Sequence, residues 1–315
     1  MRYAIRKAAT MILTILMVSL LVFLAFSVIP GDPATQMLGT NATPQKLAEL
    51  REQLGLNRPV AVRFFDWIKA FFFGDMGISY TYHVPVRQML ADKLPIMLTL
   101  TGMSFVLIVL LSIPLGILTA KYYDRTFAKA FDVINQLFMA IPPFFIGILI
   151  TYLFGLLLRL FIPGGFVSYQ NDPVSYFSYM FVASFSIALP KAAMNMRLLK
   201  SSVLNEAKLD YVRTAYSRGN TTNQMLYRHV LRNALIPVVT FLGMTLADIV
   251  AGSIVIEQVF SIPGYGRLLI ASINGRDYPV AQAIIVIMAV FVVVINFVVD
   301  ALYPLIDPRV KTDET

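Results

Sequence analysis

Six stretches of this sequence stay apolar for about 20 residues or more, the length at which a helix rising 1.5 Å per residue crosses a hydrocarbon core of roughly 30 Å. They run near 10–29, 96–120, 131–158, 177–199, 234–256 and 280–302. The rest of the composition agrees: 57% of residues are hydrophobic, 14% are charged, and the mean hydropathy is +0.70. A soluble domain carries about 25% charged residues, so this chain has little polar material with which to cover a water-facing surface. The expected fold class is therefore an all-α membrane protein with six transmembrane helices. The third stretch contains Pro142 and Pro143 and is expected to kink or to begin late. The fourth, with Pro190, Lys191 and Arg197, is the least apolar. The first follows Arg2, Arg6 and Lys7, as a secretory signal would. Its apolar run is too long for a signal and no small-residue cleavage site follows, so it is expected as a retained first span.

Six spans place both termini on one side, and the Lys and Arg distribution says which. Fifteen basic residues against seven acidic ones fall on the side of the termini, and ten basic against nine acidic fall on the other. The termini are therefore expected in the cytoplasm. The net charge of +8 is accounted for by topology, and nucleic acid is not an expected partner. The chain has no cysteine, which excludes disulfides, thiolate metal sites and a cysteine nucleophile.

Two connections are too long to be simple turns. The external segment 30–95 should contain a helix over 44–54, with Thr43 as N-cap, Pro44 at the first helical position and Gly55 as the stop. A second stretch, 62–73, holds Phe64, Phe65, Trp67, Phe71, Phe72 and Phe73. Such aromatics favour the membrane–water interface, as a scaffold lying on the bilayer or as a docking surface for an external partner. On the cytoplasmic side, 202–217 lacks Gly and Pro and reads as a helix, and Arg218-Gly219-Asn220 reads as a C-cap and turn with positive φ at the glycine. Thr221 and Gln224 then have the spacing of a capping box, opening a second short helix over 222–231, with Pro237 at the mouth of the fifth span. A stiff hairpin tied to two spans suits docking to a partner; the alternative is a basic hairpin resting on anionic headgroups.

No Gly-Lys pair occurs, so no phosphate-binding loop of the G-x-x-x-x-G-K-[ST] type exists. The two histidines, His83 and His229, fall on opposite sides of the predicted membrane, and no metal-ligand cluster can be assembled. Lys191, Asp248 and Asp300 are ionisable residues within or near spans. Such residues are functional candidates because they are costly in lipid. They could line a translocation route, or pair with one another and snorkel.

Several motifs, taken in order, resemble one family. Ile29-Pro30-Gly31-Asp32-Pro33 ends the first span, Leu54-Gly55-Leu56-Asn57-Arg58-Pro59 and Gly74-Asp75-Met76-Gly77-Ile78-Ser79 mark the long external segment, and Glu257 to Arg267 with Arg276-Asp277-Tyr278-Pro279 mark the last one. Together they resemble the inner-membrane permeases of ABC importers for oligopeptides, dipeptides and nickel, of the first of the two permease types. The hairpin resembles the EAA loop of those importers. Arg213-Thr214-Ala215 stands where that loop has E-A-A, and Gly219 keeps its spacing. His229-Val230-Leu231-Arg232 departs from the generic letters in the way the peptide branch does.

The resemblance implies a type I ABC importer permease fold divided as 1–29 (first transmembrane helix), 30–95 (external loop), 96–306 (permease domain, with the coupling loop at 200–237) and 307–315 (cytoplasmic tail). It implies ATPase-coupling residues Arg213, Thr214, Ala215, Gly219, His229, Leu231, Arg232, Asn233 and Pro237. Gly31, Asp32, Gly74, Asp75, Pro263, Gly264, Gly266, Arg276 and Asp277 would meet an external binding protein, and Lys191 and Asp248 would line the path. The implied partners are a second homologous permease, two ABC ATPase subunits, the external substrate-binding protein and the lipid bilayer. No cofactor is expected in this chain, ATP and Mg being bound by the ATPases. The implied place is the bacterial cytoplasmic membrane, and the implied solutes are peptides, with nickel or a metal chelate, glutathione and opines as alternatives. Readings of another class are a stand-alone secondary transporter, which should show an internal repeat or broken helices, and an intramembrane hydrolase using Asp248 and Asp300.

Overall fold

The computed structural model describes residues 2–28, 33–39, 43–53 and 55–306. Pro30, Gly31, Asp32 and the tail 307–315 lie outside them. In chain order the helices are α1 (Arg2–Val28), α2 (Pro33–Leu38), α3 (Pro44–Gln53), α4 (Val60–Phe72), α5 (Val86–Ala91), α6 (Leu94–Lys121), α7 (Thr126–Ala140), α8 (Pro143–Ile150), α9 (Pro173–Glu206), α10 (Asp210–Ser217), α11 (Thr222–Met225), α12 (Leu231–Val259), α13 (Tyr265–Asn274) and α14 (Tyr278–Ile306). Two π-helical turns, Thr151–Leu157 and Leu226–Val230, extend α8 and α11. Among the described residues, five helical stretches are long and apolar enough to span a bilayer: Arg6–Val28, Val86–Lys121, Pro173–Glu206, Thr222–Val259 and Tyr278–Ala301. The pair α7 and α8 passes the same test as a sixth, bent by 102°.

That bend is the expected kink of the third window, and its cause is local. The ring of each proline disfavours the α conformation in the residue before it. Ile141 and Pro142 are accordingly extended, with ψ of 126° and 144°, and Pro143 starts α8 afresh at the first helical position.

The chain divides into two compact units, Met1–Met97 with Pro263–Val294, and Leu98–Ile262 with Ile295–Thr315. In the first, α4 buries Phe64, Ile68 and Phe71, spaced along one helical face. Phe64 and Trp67 pack on Phe23 of α1 at ring separations of 5.6 and 5.5 Å, while Phe65, Phe72 and Phe73 stay exposed. The expected α3 is present. The backbone N–H of Leu47 donates to the Thr43 carbonyl, and Gly55, with φ +65°, closes the end as its follower Leu56 donates to the carbonyl of Arg51.

In the second unit the central pair is α9 and α12, running antiparallel. The meeting points Tyr179 with Phe260, Lys191 with Asp248, Asn195 with Thr245 and Glu206 with Asn233 keep one register, each step along α9 matched by a like step back along α12. Asp172 caps the start of α9, accepting from the amides of Val174 and Ser175 and from the Ser175 hydroxyl. The Ser175 hydroxyl, with the amides, holds its carboxyl below the usual aspartate value. Helix α7 lies on α9 through two polar contacts, Asn135 Nδ2 donating to the Ala193 carbonyl at 2.8 Å and Lys200 pairing with Asp132 at 2.6 Å. Close helix packing depends on Gly243, where a Cβ would fall 2.3 Å from a Val299 methyl.

Candidate functional site

The hairpin joining α9 to α12 is built of helix ends. Its first arm is not the single helix expected over 202–217. The span helix α9 runs to Glu206, and α10 begins only at Asp210, with Leu209 extended between them at φ −72°, ψ 150°. At the tip the α10 carbonyls are satisfied by a Schellman arrangement. The amide of Asn220 points to the Ala215 carbonyl and that of Gly219 donates to Tyr216, with Gly219 at φ +85° as the sequence predicts. The capping box is present: Thr221 Oγ1 accepts from the Gln224 amide and Gln224 Oε1 accepts from the Thr221 amide at 2.9 Å. The second arm is not a separate short helix. It runs without a break through α11 and the π turn into α12, so Pro237 lies inside that helix rather than at its mouth.

The base of the hairpin is tied by a triad that residue types alone do not announce. Tyr211 Oη donates to Glu206 Oε1 at 2.6 Å, and Asn233 Nδ2 donates to the same oxygen at 2.9 Å and lies 3.1 Å from Tyr211 Oη. One carboxylate thus joins the end of α9, the start of α10 and the start of α12. Ala215 is buried and His229, Leu231 and Asn233 are half-buried, whereas Arg213, Thr214, Gly219, Arg232 and Pro237 are exposed. Arg213 reaches Asp210 at 3.7 Å with both side chains largely in the open. A cleft of ≈ 290 Å³ opens between the arms, lined by Tyr211, Thr214, Arg218, Asn220 and His229 among others.

Midway along α9 and α12 lies a polar ladder. Lys191 Nζ is 3.3 Å from Asp248 Oδ2, the lysine side chain 18% exposed and the aspartate 74%. One turn away the buried Asn195 donates to the Lys191 carbonyl at 2.9 Å and lies 3.5 Å from Thr245 Oγ1. Two of the three ionisable span residues singled out in the sequence, Lys191 and Asp248, are therefore partners, and Asn195 and Thr245 extend their site.

The third candidate region belongs to the first unit. Asp277 does not face outward as a docking residue would: it is 1% exposed, and its carboxylate accepts from the Ser79 hydroxyl and from the amides of Tyr80 (3.0 Å) and Thr81 (3.3 Å). It pins the tight loop whose ends are bridged at Ile78 and Pro85. Gly264 and Gly266 are likewise buried, Gly74 and Pro263 are half-buried, and Asp75 and Arg276 are exposed. Tyr265, between those glycines, donates its hydroxyl to the Leu90 carbonyl at 3.0 Å, and burial pushes the phenol up to about 12. Gly31 and Asp32 lie outside the described residues.

Among the described residues no group of three or more His, Cys, Asp or Glu is placed to hold a metal ion. Residues 112–312 match the family described as binding-protein-dependent transport system inner membrane component, and residues 1–101 match the N-terminal region described for such membrane components. The chain is 34% identical over 313 residues to the oligopeptide transport system permease protein AppB of Bacillus subtilis, covering 98% of this chain and 99% of that one. It is also 34% identical over 311 residues to the glutathione transport system permease protein GsiC of Salmonella typhi, covering 99% of each.

Proposed function

The chain belongs to the family of inner membrane components of binding-protein-dependent transport systems, and on that premise we propose that it is the first-type permease of an ABC importer carrying di- or oligopeptides. It is a multi-pass membrane protein and a transport component, not an enzyme, and the family implies an ATPase and a binding protein as partners in general. The observation that carries the peptide reading is the near full-length match to permeases named for oligopeptide and for glutathione transport.

In this reading the protein lies in the bacterial cytoplasmic membrane with both termini in the cytoplasm, because the basic residues concentrate on that side. Segments 1–29, 30–95, 96–306 and 307–315 are then the first span, the external loop, the permease domain and the tail. The assembly contains a second homologous permease, two ATPase subunits that bind ATP and Mg, and an external binding protein.

The hairpin is the coupling element. Its exposed Arg213, Thr214 and Arg232 face an ATPase groove, and the triad on Glu206 ties that contact to two spans. Asp75 and Arg276 are the exposed members of the external docking set, with Asp277 holding the loop behind them. Lys191 and Asp248 line the path.

The test is reconstitution. The chain alone in vesicles should neither hydrolyse ATP nor take up peptide, and the complex with both ATPases, the second permease and the binding protein should do both. Robust uptake by the lone chain under an ion gradient would sink the proposal in favour of a secondary transporter.

A further inference from the structure

Helix α12 leaves a stripe uncovered along its second half. Met244, Asp248, Gly252, Val255 and Gln258 are all exposed and recur at three- and four-residue spacing, which sets them on one face. Asp248 stands on that stripe near the middle of the helix. A carboxylate 74% exposed at mid-span cannot face lipid without a large penalty. Its partner is set back: Lys191 is only 18% exposed and reaches one oxygen, Oδ2, at 3.3 Å. The pair is neutral as a whole but oriented, with its negative end outward. One turn on, Gly252 contributes no side chain, and a Cβ there would meet nothing within 4 Å.

We infer that this stripe of α12 is a water-lined wall of the translocation path and that Asp248, backed by Lys191, makes its midpoint selective for the ammonium end of the solute. The wall would thus favour solutes bearing a free amine, such as an unblocked peptide N-terminus. The inference rests on reading the chain as a permease, and its test separates the two.

Because the chain has no cysteine, Gly252→Cys introduces a single thiol that can be followed on this chain within the complete importer. Its reaction rates with a trimethylammonium methanethiosulfonate and with the sulfonate analogue are measured in membranes, each relative to a free thiol in solution. Cys at 252 should react with both reagents and favour the cationic one. Asp248→Asn should lower the cation-to-anion ratio about three- to tenfold, as expected for a charge one helical turn away, and Lys191→Gln, which removes the partner of that charge on the neighbouring helix, should raise it. Opposite signs are the signature, since two merely disruptive substitutions would move the ratio together. If the thiol is inert to both charged reagents yet labelled by a lipid-soluble maleimide, the face is dry and the inference falls. An unchanged ratio, or one moved the same way by both variants, also overturns it. Uptake by the unsubstituted complex is measured beside these rates. Normal peptide uptake with a dry face would discard the inference and leave the permease reading standing, whereas no uptake of any peptide would discard that reading itself.

Discussion

Glu206 and Asn233, 27 residues apart, meet at the foot of the hairpin, where Asn233 Nδ2 donates to Glu206 Oε1 at 2.9 Å and Tyr211 Oη donates to the same oxygen at 2.6 Å. Asn233→Ala should remove one charge-assisted bond, at a cost of about 1–3 kcal/mol, and free α10 from α12. We predict a complex that assembles but hydrolyses ATP with reduced uptake per ATP, and a milder form of the same defect in Tyr211→Phe. Unchanged transport stoichiometry in Asn233→Ala would show that the triad is dispensable.

Gly219 tests the tip. Nothing lies within 4 Å of where its Cβ would be, so a substitution there meets strain only from its φ of +85°. That strain is about 1–2 kcal/mol for an ordinary residue, higher for a β-branched one and lower for Asn. Gly219→Val should insert normally yet uncouple hydrolysis from uptake or lose the ATPase during purification, with Gly219→Asn close to the parent. Equal, full activity of the Val variant would reduce the hairpin to a surface loop. Arg213→Ala should weaken ATPase retention more mildly, because its ion pair with Asp210, at 3.7 Å, is open to solvent.

Asp277 holds three donors on a buried carboxylate. Asp277→Ala removes the acceptor of those three hydrogen bonds and should cost about 2–4 kcal/mol, releasing the loop 79–82. Limited proteolysis should then cut within residues 77–86, where the parent resists. If the loop stays protected, the carboxylate is not what pins it.

Tyr265 gives a pH dependence. Its phenol is raised by burial from 10.0 to about 12 in the folded chain. A raised acid contributes stability that is complete below pH 10 and is lost as pH climbs to about 12, because the unfolded chain gives up the proton first. The thermal midpoint of the parent should fall through that window more steeply than that of Tyr265→Phe. Parallel curves would show that Tyr265 does not titrate with unfolding.

Features set by neighbouring residues were legible in the sequence. The break at Pro142-Pro143, the stop at Gly55, the positive φ at Gly219 and the Thr221–Gln224 box each follow from steric or capping rules acting over a few positions. What stayed hidden depends on residues far apart in the chain. Nothing in the stretch Ala207-Lys208-Leu209 forbids helix; the chain turns out there and Tyr211 comes back onto Glu206. The family resemblance implied a docking role for Asp277, but its three donors come from residues nearly two hundred positions away and bury it. Lys191 and Asp248 were each noticed as costly in lipid, and only the antiparallel register of α9 and α12 makes them a pair.

The unbroken run from Thr222 to Val259 makes the second hairpin arm and the face bearing Asp248 parts of one rod. Such a rod carries torque. A rotation imposed at its foot would pass along α12 toward mid-membrane and swing Asp248 about the helix axis relative to Lys191 on the neighbouring helix. The π turn at Leu226–Val230 is a place along the rod where the winding is slack, and taking up one residue of that slack would turn everything beyond it by about 100°.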